Sequence, residues 1–76
     1  MSRLDQLTKL RAVDPADPDI PYMLAQEHAK LGDHDAALEA FDACIALDPH
    51  YHYAYYHKAK VQEATGDEGA AAATLT

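Results

Sequence analysis

Three histidines lie close together in the chain, His50, His52 and His57. Imidazole ligates zinc, copper and nickel, so two or three converging rings would make a metal site or a group that changes charge near neutral pH. Their spacing argues against shared ligation. His52 and His57 are five residues apart, whereas a helix brings together residues three or four apart, and His50 falls beside Pro49 in what reads as a turn. The only cysteine, Cys44, shares one helical stripe with Ala37, Leu38, Phe41 and Ile45. A thiol there is a small core hydrophobe; a nucleophile needs an electropositive, partly exposed setting. The only serine, Ser2, heads a Ser-x-x-acid box with Asp5, which reads as a helix cap. The glycines form no phosphate loop. These residues predict no catalytic centre and no cofactor, and leave His50, His52 and His57 as the candidates for a metal.

Charge and composition narrow the classes further. Thirteen acidic against 6 basic side chains give a net charge of −7 and an isoelectric point near 4.9. Nucleic acid rewards clustered cations, and Lys and Arg are scattered here. At long range the net charge favours neutral or basic protein partners. No apolar run approaches the ~18 residues of a membrane span. The first residues lack the apolar stretch of a signal peptide, and a lone cysteine permits no internal disulfide. A cytoplasmic protein is expected. Leu, Ile, Val and Phe are so few beside this charge that composition alone would allow disorder; pattern has to decide whether the chain folds.

The pattern is a repeat. Asp14-Pro15 returns as Asp48-Pro49, 34 residues on, and Gly32-Asp33 returns as Gly66-Asp67 in the same register. Tyr22 maps onto Tyr56, Ala25 onto Ala59, Ala37 onto Ala71 and Phe41 onto Leu75. Each period divides into two helices. The first is expected to be capped by Asp19 and to run from Ile20 to Leu31, with Ile20, Met23, Leu24 and Leu31 as its larger apolar residues. Gly32 supplies a left-handed turn and Asp33 caps the second, from His34 to Leu47, which Pro49 ends. Upstream, Leu4, Leu7, Leu10 and Val13 form a drifting stripe behind the Ser2 cap. Downstream, residues 51–65 repeat the first type, and residues 67–76 begin another second-type helix. Such a chain is all-α, built of antiparallel helix pairs, with four to five helices.

The stretch from Pro18 to Tyr51 resembles the tetratricopeptide repeat family: Leu24 and Ala25 in the first helix, Gly32-Asp33 at the turn, Ala37 and Phe41 in the second, then Leu47-Asp48-Pro49. The resemblance implies a single domain over residues 1–76. Residues 2–14 correspond to a repeat's second helix, 18–51 to one complete repeat and 52–76 to an incomplete one. Departures from the family pattern are Pro21 where an aromatic often begins the first helix, His28 in place of a tyrosine, and Lys58 in place of a packing leucine. The long Lys58 stem can cover apolar surface while its ammonium reaches water, as suits an exposed end of the stack.

The family stacks such pairs into a superhelix whose first-type helices line a concave groove. Carried onto this chain, the lining is Asp19, Tyr22, Gln26 and Lys30 from one repeat and Tyr53, Tyr56, Lys60 and Glu63 from the next. Tyrosine offers contact area at low entropic cost and a hydrogen-bonding tip; Tyr55 is expected instead to pack between repeats. The resemblance therefore implies a non-catalytic scaffold binding a peptide or protein segment. Tyr22, Gln26 and His57 stand where the family's clamp for terminal carboxylates would need Lys and Asn, so chaperone tails are not expected as ligands. Exposed repeat ends allow a homodimer. The alternative is a small helical protein whose histidines bind metal or sense pH.

Overall fold

The computed structural model describes residues 2–66 and Thr74. Four helices follow one another without a strand among these residues: α1 (Arg3–Val13), α2 (Asp19–Lys30), α3 (His34–Leu47) and α4 (His52–Ala64). Adjacent helices pack pairwise in chain order, and α2 also touches α4. The expected final helix, residues 67–76, lies outside the described residues except for Thr74, whose hydroxyl donates to Gln62 Oε1 at 2.6 Å.

Local chemistry sets the helix ends. The Asp5 N–H donates to Ser2 Oγ at 3.1 Å, and the Ala36 N–H donates to Asp33 Oδ1 at 3.3 Å. Each bond satisfies one of the amides that a helix start leaves without an internal partner. Gly32 and Gly66 follow α2 and α4 with φ of +79° and +84°, a conformation that a Cβ disfavours. One capping assignment changes. Asp19 is inside α2 and does not cap it; Asp17 Oδ1 accepts from the Asp19 N–H at 2.9 Å. The Asp19 carboxylate is thereby left for a tertiary partner described below.

The core is small and rich in alanine. Leu7, Ile20, Leu24, Ala25, Ala37, Ala40, Phe41, Cys44, Ala54 and Val61 form one buried cluster. Ala25 on α2 and Ala37 on α3 are fully buried, which is the close helix approach that small side chains allow. Phe41 is the core's largest fully buried side chain, and burial pushes the Cys44 thiol up to about 11, a protonated core group. Lys58 behaves as its stem suggested: it is largely covered, and its ammonium reaches Asp42 on α3 at 2.7 Å. Tyr55 also packs locally, its hydroxyl donating to the Pro49 carbonyl at 3.0 Å.

Not every apolar residue of the stripes is inside. Leu7 is buried, yet Leu10 is 48% and Val13 83% exposed. A spacing of three falls ~60° short of a full turn at each step, so α1 carries its later residues off the core-facing side. Leu31, counted among the apolar residues of the first helix, is also exposed at 68% because it is the residue at which α2 turns toward Gly32.

Removing the Phe41 ring should cost about 3–5 kcal/mol. That is comparable with the whole stability of a domain this small. Phe41→Ala should therefore lose its cooperative thermal transition in far-UV circular dichroism. Leu31→Ala should change stability by no more than about 0.5 kcal/mol in the same measurement.

Candidate functional site

The sequence places a first-type helix at α2 and another at α4, joined through α3, so that α2 and α4 run in the same direction. Their C-terminal halves face one another across a cavity of about 520 Å³. Gln26, Glu27, Ala29 and Lys30 line it from α2, His57, Lys60, Val61 and Ala64 from α4, and His34 and Phe41 from α3. Gln26, Lys30 and Lys60, three of the residues expected in a groove, thus meet at one place.

Toward the N-terminal ends of the same two helices, aromatic rings replace the cavity. Tyr22 is half-buried, 5.0 Å between ring centroids from Tyr51, 6.1 Å from Phe41 and 5.7 Å from His57. The His57 ring lies nearly parallel to Phe41, 6.4 Å away, and meets Tyr56 edge-on at 5.3 Å. These are the spacings at which aromatic pairs gain beyond simple burial. Tyr22 also holds the next turn of its helix, accepting from Gln26 Nε2 at 3.1 Å. It is therefore a half-buried packing residue that meets Phe41 of α3 and His57 of α4. Burial raises its phenol pKa, with Tyr53 as the next cause.

Tyr53 and Tyr56 are the tyrosines that present themselves, 70% and 50% exposed. Lys60 Nζ stands 5.0 Å above the Tyr56 ring, a cation–π arrangement that fixes where the ammonium points. Lys30 is 3.5 Å from Glu27 one turn back. Tyr56 is the first cause that favours the charged form of Lys60, and exposed Glu63 adds to it. Neither Tyr53 nor Glu63 lines the cavity.

Two contributors lie outside the expected groove lining. Tyr51 donates its hydroxyl to Asp19 Oδ1 at 2.6 Å, tying the start of α4 to the start of α2. Burial first, and this bond second, push the Tyr51 phenol far above its ordinary range. No periodicity pairs positions 32 residues apart, so this tie had no sequence signal. His57 did have one: the 34-residue register sets it on Met23, a partly buried residue packed against the core. As a candidate ligand it fares poorly. His50 and His52 are exposed, the His57 ring is enclosed by Tyr22, Phe41 and Tyr56, and among the described residues no three His, Cys, Asp or Glu side chains are grouped as a metal would need.

Paired antiparallel helices repeated with a fixed period, stacked so that one helix type lines a shared face, define a helix-pair repeat. Residues 19–51 match the tetratricopeptide repeat model, and the chain carries a repeat of that family, whose members serve in protein–protein interaction. The chain is also similar to U-box domain-containing protein 70 of Oryza sativa subsp. japonica, 42% identical over 67 residues. That match covers 88% of this chain and spans only 8% of the length of the relative.

Two outcomes follow from the site. Zn²⁺ added to the protein should leave the NMR shifts of His50, His52 and His57 unmoved, since the three rings do not converge. The second concerns acid. Burial, and then Lys60, lower the His57 pKa below its ordinary value near 6.5. Above that pH the ring is neutral folded or unfolded. As pH falls below it, the unfolded chain takes up a proton that the folded ring resists, and stability drops. The decline in urea midpoint from pH 7 to pH 5 should be smaller in His57→Phe than in the wild type.

Proposed function

We propose that the chain is a non-catalytic interaction module that binds a peptide or protein segment along the concave face lined by α2 and α4. The observation that carries this reading is the pairing of exposed Tyr53 and Tyr56 with a fixed wall behind them. Tyr22, His57 and Phe41 hold one another in place, so the exposed rings meet a partner from a surface that needs little reordering. Tyr22, Gln26, Lys30, Tyr53, Tyr56, Lys60 and Glu63 are the proposed contact set, with Tyr22 acting mainly through the others. The rice relative carries a similar segment within a far longer U-box domain-containing chain.

The net charge of −7 supports neutral or basic partners at long range, and the free, buried Cys44 suits a cytoplasmic setting. Exposed Leu10 and Val13 on α1 support self-association as a second use of the chain; light scattering at rising concentration should then show dimers that Val13→Lys abolishes.

Tyr53→Ala with Tyr56→Ala should reduce partner capture in an affinity pull-down by at least about tenfold, which is about 1.4 kcal/mol, with far-UV circular dichroism unchanged. Retention of full capture by that folded double variant would refute the groove reading.

A further inference from the structure

We propose that the groove grips its segment through an apolar side chain seated in the cavity next to Phe41, with a neighbouring side-chain carboxylate held by Lys30 and Lys60. This rests on the groove reading above and adds to it the chemistry of the partner segment.

The cavity is both large enough and apolar enough at its base. Its 520 Å³ falls within the range of sites that enclose a small ligand or a side chain, and Ala29, Phe41 and Val61 give it hydrocarbon walls. Its charge departs from that of the whole chain. Among the described lining residues Lys30 and Lys60 face a single carboxylate, Glu27, in a protein with 13 acidic and 6 basic side chains. At physiological ionic strength fields fade over ~8 Å. The dispersed acids therefore govern approach, while the two lysines govern contact.

His34 lines the cavity beside them, though its Nδ1 is shut away from solvent and, among the described residues, has no hydrogen-bond partner. The groove is also polarised along its length. Asp19, held by Tyr51, occupies the end away from Lys30 and Lys60 and disfavours a carboxylate there. The acid of the segment accordingly belongs at the lysine end. The carboxylate proposed there is a side chain's.

The test uses acetylated, C-terminally amidated pentapeptides with no free terminal carboxylate: Gly-Asp-Phe-Asp-Gly, Gly-Asp-Ala-Asp-Gly and Gly-Lys-Phe-Lys-Gly. Each is titrated into the ¹⁵N-labelled protein at about 150 mM salt. The Asp-Phe-Asp peptide should move the amides of Lys30, His34, Lys60 and Val61. Its affinity should fall at least about tenfold in Lys30→Glu with Lys60→Glu and recover in Lys30→Arg with Lys60→Arg. The Asp-Ala-Asp peptide should bind more weakly by a similar factor. If the Lys-Phe-Lys peptide binds the same amides as tightly, the groove reading survives and the acidic-segment inference is overturned. If none of the three moves a groove amide, the inference is likewise overturned, and the Tyr53→Ala, Tyr56→Ala pull-down decides the groove reading separately.

Discussion

The structure depends on how closely α2 and α3 can approach. Ala25 and Ala37, both without exposed surface, bring no more than a methyl group each to the core that the two helices share. A chain with few large apolar residues can build a core only if its helices lie near enough for Phe41, Leu24 and Ile20 to reach across several neighbours at once. The alanines therefore serve as spacing elements first and as buried area second. That spacing also brings Phe41, a residue of the second helix, near enough to the groove to act as its base.

From that contact the groove follows. With α3 drawn against α2, the next first-type helix has one place to lie, and α4 takes it, fastened by Lys58 to Asp42 on one side and by Tyr51 to Asp19 on another. The rings of Tyr22, Tyr51, His57 and Phe41 then fill the angle between α2 and α4 near their N-terminal ends, and the helices leave a cavity nearer their C-terminal ends. On the proposed binding reading, stability and recognition draw on the same side chains. Tyr22 is the clearest case: it cannot be cut back without loosening the wall it belongs to, so exposed Tyr53 and Tyr56 are better probes of binding.

Histidine chemistry illustrates how surroundings override residue type. Three nearby imidazoles in a sequence suggest ligation, but His50 in the turn and His52 at the start of α4 stay exposed while His57 is enclosed among aromatic rings. What remains is a neutral ring that resists protonation, a packing residue with an acid sensitivity attached.

The 34-residue register, the dipeptides at the turns and the caps at Ser2 and Asp33 were sufficient in the sequence to determine the helices and their pairing, because turns and caps are satisfied by neighbours within a few residues. The same local logic failed where a residue had two uses: Asp19 has the chemistry of a cap, yet α2 starts from Pro18 without a side-chain cap, Asp17 accepts from the Asp19 amide, and the Asp19 carboxylate bonds to Tyr51. It failed again at Leu10, Val13 and Leu31, since periodicity states which side of a helix is apolar but not how far along that side a neighbour extends. Only the tertiary structure decided that Tyr22 is half core, that His57 lies against Phe41, and that Lys30 and Lys60 share a cavity. Those facts depend on the angle and separation of helices a full repeat apart, and no spacing within one helix encodes them.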